Sequence, residues 1–378
     1  MTIQASARSL KALIVGGGVG GMSAAIALRR IGVTVDLIDI DPKWGVLGAG
    51  LTITGPTLRA FRELGVLDEI MELAYTGSGI RICDTQGNTL KDLDTPMPPG
   101  LGVPGSGGVS RPGLHRILAN RVQAASTQVR LSVTVDVFRE LGDGVEVTFS
   151  DGSKDVYDFV VGADGVNSTV RKLIIPDAPD AEYTGQNCWR VTVERPAEIE
   201  RRTYFLGGPL KVGFTPTSKH DMYMFVLEKS PKMWRDPKDL YKPLQELLKD
   251  YGGVVAKVRD ALDEHSHIVF RPLETFSLSA PWYRGRVLLI GDAAHPTTPQ
   301  LASGAGMAVE DALVLAEELT HTADVPASLA AFMARREERC RLIVDGSLEI
   351  GRLEQERAPV EAQTAVVARV LSKLTEPI

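Results

Sequence analysis

The stretch KALIVGGGVGG, residues 11–21, decides the fold of this 378-residue chain. An apolar run leads into clustered glycines and then into a helical pattern, which predicts a strand over Lys11–Val15 and a helix from about 20 to 31. A second apolar run predicts another strand over 33–40. This order of strand, helix and strand is typical of a Rossmann-like α/β domain with a parallel sheet.

The glycines between the first strand and the helix follow the pattern GxGxxG. Gly16 permits the tight turn, Gly18 lets the backbone approach a pyrophosphate, and Gly21 lets the helix pack closely on the strand. Val19 and Gly20 open the helix, where free N–H groups and a partial positive charge favour phosphate. The turn is therefore a candidate site for a dinucleotide.

An acidic residue supports this interpretation. Asp39 stands near the end of the second predicted strand, eighteen residues beyond Gly21, where a carboxylate can accept hydrogen bonds from ribose hydroxyls. The motif does not specify the chemistry, because NAD dehydrogenases, FAD enzymes and GDI-like binding proteins would all show it.

Composition narrows the class of protein. The net charge of −6 argues against nucleic-acid binding, and the length suggests about two or three domains. Three widely spaced cysteines predict no disulfide framework and no zinc site, so we expect no metal and a reducing, cytoplasmic location. The uncharged run 12–28 imitates a membrane anchor, but its five glycines and its 17-residue length argue against one.

The pattern changes along the chain. Helical spacing covers 57–74 and 112–125, a Pro/Gly-rich loop is expected over 96–108, and three strands are expected within 129–162. Short aromatic-rich strands between about 180 and 280 predict an antiparallel sheet. Further on, the sequence predicts a buried strand at 286–291, a long helix at 304–321 and C-terminal helices.

Three further stretches carry a family resemblance: GAG at 48–50, VGADGVNSTVR at 161–171, and GRVLLIGDAAHP at 285–296, which continues through TTP to GAGM and EDA. With the glycine turn, they resemble the single-component FAD-dependent monooxygenases, the aromatic-hydroxylase group that includes 4-hydroxybenzoate and salicylate hydroxylases. The resemblance covers about 10–175 and 275–345.

The resemblance implies roles for individual residues. Asp292 matches the acid that binds the FAD ribityl chain, and Pro299 matches a position near the reactive C4a edge of the flavin. Arg111 matches an arginine that contacts FAD, and Asp164 belongs to a motif linked to both FAD and NAD(P)H. The remaining cofactor-binding positions implied by the motifs are Gly50, Gly291, Gly304, Ala305 and Gly306.

The resemblance also implies an organisation and a reaction. We expect an FAD domain in three pieces, 8–77, 102–180 and 280–378, and a substrate-binding lid made of 78–101 and 181–279. NADPH or NADH would visit transiently and reduce FAD. A flavin C4a-hydroperoxide formed with O2 would then hydroxylate a small aromatic or N-heteroaromatic substrate. We expect a monomer or homodimer that binds neither membrane nor nucleic acid.

Candidate catalytic residues other than Pro299 come from the lid strands. Arg190 can hold a substrate carboxylate or carbonyl oxygen, or it can pair with Glu194. Tyr204 and Tyr223 can donate to a ring oxygen or simply pack. The same strands offer two more apolar candidates, Phe214 and Met224.

One departure from the family pattern bears on the substrate. Gln300 follows Thr-Pro where a urate-hydroxylase-like relative would have an acidic residue, which argues against a urate-type substrate. Epoxidation and Baeyer–Villiger oxidation remain open on the same fold, as does a GDI-like protein without redox chemistry.

Overall fold

A computed structural model of the chain describes residues 9–46, 48–77, 79–95, 97, 100, 102, 105–279 and 281–378. The predicted domain limits at 8, 78, 101 and 280, and much of the predicted 96–108 loop, lie outside the described residues. In chain order the strands are β1 (Lys11–Val15), β2 (Thr34–Asp39), β3 (Gly50–Thr54), β4 (Tyr75–Gly77), β5 (Ile80–Cys83), β6 (Thr89–Leu93), β7 (Ser106–Ser110), β8 (Gln128–Leu131), β9 (Val135–Glu140), β10 (Val145–Phe149), β11 (Lys154–Tyr157), β12 (Phe159–Gly162), β13 (Glu182–Glu194), β14 (Arg202–Phe205), β15 (Lys211–Pro216), β16 (Asp221–Lys229), β17 (Ile268–Thr275), β18 (Tyr283–Arg284) and β19 (Val287–Leu289). The α-helices are α1 (Val19–Arg30), α2 (Gly55–Glu63), α3 (Leu67–Leu73), α4 (Arg111–Ala124), α5 (Thr169–Ile174), α6 (Tyr241–Leu247), α7 (Gly253–Ala261), α8 (Gly304–His321), α9 (Val325–Gln355) and α10 (Val360–Leu374).

The glycine turn follows β1, which is an inner strand of a six-stranded sheet with the order β18-β19-β12-β1-β2-β8. All neighbouring strands from β19 to β8 run parallel, as predicted, and only β18 is antiparallel. Gly16 adopts φ +107°, and a Cβ on Gly21 would lie 1.8 Å from the Gly16 carbonyl oxygen. Only glycine fits at both positions. Because glycine has no Cβ, α1 can pack in close contact with the end of β1.

The second large sheet has seven strands in the order β17-β13-β16-β15-β14-β5-β6, and all its pairs are antiparallel except β14 with β5. Successive side chains of a strand point to opposite faces. One face packs Trp189, Phe214 and Met224 into an apolar core with Leu244 of α6 and Val255 of α7. Phe214 and Met224 are thus core residues, and the sequence-based suggestion that they contact substrate is wrong.

A small sheet has the order β3-β7-β4, and its strand β7 contacts β15 of the seven-stranded sheet. Its central strand β7 falls partly in the stretch that glycine content predicts as a loop. A Cβ on Gly107 would lie 2.3 Å from the Tyr75 carbonyl oxygen, and one on Gly108 would lie 2.5 Å from the Pro216 carbonyl oxygen. These glycines allow close contact between backbones within and beside the sheet, which explains why they do not mark a loop.

Other element boundaries also differ from the sequence-based prediction. The helix predicted over 57–74 is divided into α2 and α3 at Gly65, which adopts φ +66°. The segment 128–162 forms five strands rather than three, since β8 and β12 join the parallel sheet while β9, β10 and β11 form a separate antiparallel sheet. Among the helices of the described residues, none is long and apolar enough to cross a membrane.

Candidate active site

A cleft of ≈ 390 Å³ lies between the carboxyl end of the parallel sheet and the exposed face of the seven-stranded sheet. The sequence-predicted residues that line it are Gly18, Val19, Gly20, Gly50, Arg111, Arg190, Tyr204, Tyr223, Gly291, Asp292, Pro299, Gly304 and Ala305. Five predicted residues do not line it: Gly16, Gly21, Asp39, Asp164 and Gly306. The fold therefore brings most of the predicted cofactor and catalytic residues to one cleft.

The amino end of α1 opens onto one side of the cleft. A Cβ on Gly18 would meet no atom within 4 Å, so the backbone there is accessible to a ligand. Asp39 supports this turn from behind, because its Oδ2 accepts a hydrogen bond of 2.6 Å from the Gly17 N–H. Its Oδ1 accepts another, of 2.7 Å, from the Asp41 N–H. In this structure Asp39 braces the glycine turn.

Asp292 belongs to the turn that follows β19. Its side chain is accessible from the cleft and makes no hydrogen bond with a described residue. Burial among the surrounding protein atoms raises the pKa of this carboxyl, while the positive charges of His295 and Arg111 oppose the rise. An acceptor without a protein partner at this position is available for the hydroxyl groups of a ligand.

A buried hydrogen-bonded cluster fixes that turn to α8. Asp311 Oδ2 accepts from the Gly291 N–H at 2.9 Å and lies 2.7 Å from His295 Nε2, while its Oδ1 accepts from Arg336 Nε at 2.8 Å. Burial opposes ionisation of Asp311, but the charges of His295 and Arg336 outweigh it and hold its pKa below the usual range. For His295, burial is likewise outweighed by Cys340 and Asp311, which raise its pKa well above 6.5. His295, Asp311 and Cys340 lie close enough for a metal ion, yet the Arg336 guanidinium already supplies the positive charge there.

The amino end of α8 forms another wall of the cleft. Ser303, Gly304 and Ala305 line it, and their N–H groups lie in the first turn, where the helix has no internal acceptors for them. This end of the helix therefore favours negative charge. Gly306 serves packing instead, since a Cβ there would lie 2.5 Å from Thr57 Oγ1 of α2.

Two residues of the family motifs differ in their placement. The Arg111 side chain lines the cleft beside Arg190, and burial together with the charge of Arg190 lowers its pKa. Asp164 lies behind the wall, where its carboxylate accepts from Ser168 Oγ at 2.5 Å and from the Val170 N–H at 3.1 Å. Asp164 thus stabilises the start of α5.

Aromatic side chains cover the sheet side of the cleft. The Phe225 ring lies between Tyr204 and Tyr223, with centroid distances of 5.8 Å and 6.2 Å. The Tyr204 hydroxyl accepts from Arg202 Nη2 at 2.6 Å, and the Tyr223 hydroxyl lies 2.5 Å from Thr52 Oγ1. These three rings form an aromatic surface on this side of the cleft; we call it the aromatic wall.

Arg190 reaches the same cleft from β13. It makes no hydrogen bond or ion pair with a described residue, and the alternative partner Glu194 is exposed. Arg190 and Arg111 therefore give the cleft two guanidinium groups that form no ion pair with a described residue, although the Asp292 carboxylate influences the pKa of Arg111.

Sequence reasoning missed Lys211 and Phe225 as lining residues, whereas Gln300, noted as a departure from the family pattern, also lines the cleft. Alternation along β15 contains the relevant signal, because Lys211 and Gly213 share a face. A Cβ on Gly213 would lie 2.3 Å from the Phe225 ring and 2.9 Å from the Tyr204 ring. Gly213 therefore makes room for the aromatic wall.

Comparison with known proteins places this chain in a family. The model of the family described as FAD binding domain matches residues 9–347, and the chain belongs to that family. It is 31% identical over 357 residues to aurachin C monooxygenase/isomerase of Stigmatella aurantiaca, with 92% of this chain and 90% of the relative covered. It is also 31% identical over 353 residues to 2-heptyl-3-hydroxy-4(1H)-quinolone synthase of Pseudomonas aeruginosa (strain UCBPP-PA14), with the same two shares covered.

A solved structure agrees with these relatives. The crystal structure of Klebsiella pneumoniae HpxO complexed with FAD and uric acid superposes with a TM-score of 0.86 at 26% identity, covering 97% of this chain and 96% of that one. The protein is therefore an FAD-dependent enzyme of the monooxygenase and aromatic-hydroxylase group. Membership of this group rules against the GDI-like alternative without redox chemistry.

Proposed function

We propose that this enzyme uses NAD(P)H and O2 to hydroxylate a small aromatic or N-heteroaromatic ring. The observation that carries the proposal is that one cleft combines the aromatic wall with a first wall formed by the amino ends of α1 and α8 and by Asp292. In the overall balance, NAD(P)H, a proton, O2 and the ring C–H give NAD(P)+, water and the ring C–OH. The donor is oxidised by two electrons, and one oxygen atom of O2 enters the product.

The residues of the first wall fit FAD. The free N–H groups at the start of α1 suit a pyrophosphate, and the Asp292 carboxylate, which accepts no hydrogen bond from a described residue, suits the ribityl hydroxyls. The amino end of α8, at Gly304 and Ala305, suits the electron-rich edge of a reduced flavin. When bound, FAD supplies the redox chemistry, since it accepts hydride from NAD(P)H and in its reduced form activates O2.

The residues of the second wall hold the substrate ring. The aromatic wall contacts the ring faces and excludes water from the oxygen-transfer step, which limits loss of the oxidant as hydrogen peroxide. Arg190 has free donors for a carboxylate or a further oxygen substituent of the ring, and Pro299 lies on the same cleft surface. The names of the relatives, which include a quinolone synthase and a complex with uric acid, support an N-heteroaromatic ring.

The test begins with the purified protein, which should bind FAD and turn yellow. NADH and NADPH consumption is then measured with a panel of phenols, hydroxyquinolines and related lactams. We expect at least one ring to accelerate consumption and to yield a product heavier by one oxygen, labelled when the gas is ¹⁸O2. A colourless protein that FAD does not reconstitute contradicts the cofactor assignment. Consumption without any oxygenated product contradicts hydroxylation.

A further inference from the structure

A buried charged pair closes the sheet side of the cleft. The Lys211 ammonium of β15 contacts the Glu354 carboxylate, which comes from the far end of α9. Their side chains are 16% and 6% exposed, and Lys211 lines the cleft whereas Glu354 lies behind it. The Lys211 ammonium also lies 5.4 Å from the centroid of the Tyr204 ring. The positively charged member of the pair, Lys211, therefore lies beside the aromatic wall on the cleft side.

Two amides hold the carboxylate in place. Glu354 Oε2 accepts from Gln186 Nε2 at 3.4 Å and from Gln300 Nε2 at 3.3 Å. Gln300 Nε2 also donates to Gln186 Oε1 at 3.0 Å, so the two glutamines form one network with the carboxylate. The Glu354 carboxylate is accordingly bound on both oxygens, and its position is fixed from three elements of the fold.

The network controls the charge of Lys211. Burial and, to a smaller extent, the charge of Arg202 disfavour the ammonium form, but Glu354 and Tyr204 outweigh them and raise the pKa of Lys211 above its ordinary value of 10.5. One contact of the ammonium goes to Glu354, and an ammonium has three N–H donors. Lys211 therefore stays charged at neutral pH and keeps donors for a group in the cleft.

We propose that Lys211 binds the ring oxygen of the substrate and that Glu354 acts through it as a positioning residue. This inference rests on the proposed function and defines its substrate class, which is a ring with a carbonyl oxygen or the corresponding oxyanion. Binding the oxygen in its anionic form raises the electron density of the ring carbons that accept the new oxygen atom. The last turn of α9, far along the chain from the lid strands, thereby completes the substrate site.

The experiment compares two probes on FAD-loaded enzyme, 4-hydroxyquinoline and quinoline, which differ by the ring oxygen. Kd values come from the change in flavin absorbance over pH 6 to 10. In the parent enzyme we expect 4-hydroxyquinoline to bind at least about 10-fold more tightly, as a charge-assisted hydrogen bond allows. Lys211→Met should reduce that preference to about threefold or less, and Lys211→Arg should retain most of it.

Glu354→Gln tests the positioning role, because a purely structural role of Glu354 would not change the pH dependence of the preference between the two probes. Without the carboxylate, burial lowers the pKa of Lys211, so the preference for the oxygenated probe should fall as pH rises from 7 to 10. The matched control is Glu349→Gln on the same helix, which removes an exposed pair with Arg369 and should behave like the parent.

Three outcomes overturn the inference: equal affinity of the parent enzyme for both probes, a preference that Lys211→Met leaves unchanged, or a Glu354→Gln pH profile identical to that of the parent. If Lys211→Met does not fold, Lys211→Arg and Glu354→Gln still decide the question. Failure of the proposed function is seen separately, as loss of FAD binding or of NAD(P)H oxidation in the parent enzyme.

Discussion

At the scale of single residues, the two acids that the sequence assigns to the cofactor site, Asp39 and Asp292, have different hydrogen-bond partners. Both carboxylate oxygens of Asp39 accept hydrogen bonds from backbone N–H groups, those of Gly17 and Asp41. Asp292, in contrast, makes no hydrogen bond with a described residue. Of the two acids, Asp292 is the one exposed to the cleft. Direct contact with FAD is therefore expected to depend more on Asp292, and the shape of the glycine turn more on Asp39.

Asp292→Ala is predicted to weaken FAD binding by about 10- to 100-fold, since hydrogen bonds to a charged group contribute roughly 1.5–3 kcal/mol. Fluorescence titration of the apoprotein with FAD measures the change. The unfolding temperature of the apoprotein should hold or rise slightly, because burial already disfavours this carboxylate. Asp151→Asn, an exposed acid on the β10–β11 turn, is the control. Unchanged FAD affinity in Asp292→Ala would remove this residue from the cofactor site.

At the scale of elements, α8 joins several functions. Its first turn lines the cleft, its next turn carries Glu310 and Asp311, and Arg336 of α9 holds both acids at 2.8 Å. Since Asp311 also accepts from the Gly291 N–H, α8 fixes the turn that presents Asp292. A change in this buried cluster should therefore alter both stability and cofactor binding.

The cluster predicts a pH dependence. The pKa of His295 is higher in the folded protein than its ordinary value of 6.5, so its contribution to stability is fully present below about pH 6.5 and is lost as pH rises through the folded-state value. Unfolding temperatures measured from pH 5.5 to 9 should show this decline in the parent protein. His295→Asn should flatten it, whereas His220→Asn in an exposed turn should leave it intact. Parallel curves for all three proteins would contradict the assignment.

Elements differ in how far the sequence predicts them. The Gly16–Gly21 turn and α8 are predictable because their motifs are local, and each glycine role follows from the backbone. The position of Lys211 could have been predicted, since the alternation of side chains along β15 places it on the cleft face. The position of Glu354 could not have been predicted, because its contact with Lys211 spans 143 residues and depends on how α9 packs against β13 and β15.

At the scale of the whole molecule, α9 connects the parts of the fold. Arg336 in its middle binds the acids of α8, and its final residues contact the seven-stranded sheet. Gln355 Nε2 donates to the Thr184 carbonyl oxygen at 3.1 Å, and the Lys229 ammonium donates to the Gln355 carbonyl oxygen at 3.3 Å. This one helix therefore connects the buried cluster of α8 with the seven-stranded sheet on the other side of the cleft.

Gly185 tests that connection, because it adopts φ +89° and a Cβ there would lie 2.4 Å from Gln355 Oε1. Gly185→Ala should destabilise the protein by about 1–3 kcal/mol through backbone strain and should displace the end of α9. Gly152→Ala is the matched control, since Gly152 has φ +81° and a Cβ there would meet no atom within 4 Å. Both variants should lose stability in urea unfolding, but only Gly185→Ala should weaken 4-hydroxyquinoline binding while FAD affinity stays close to that of the parent. Equal probe binding by the two variants would show that the end of α9 does not set the substrate side of the cleft.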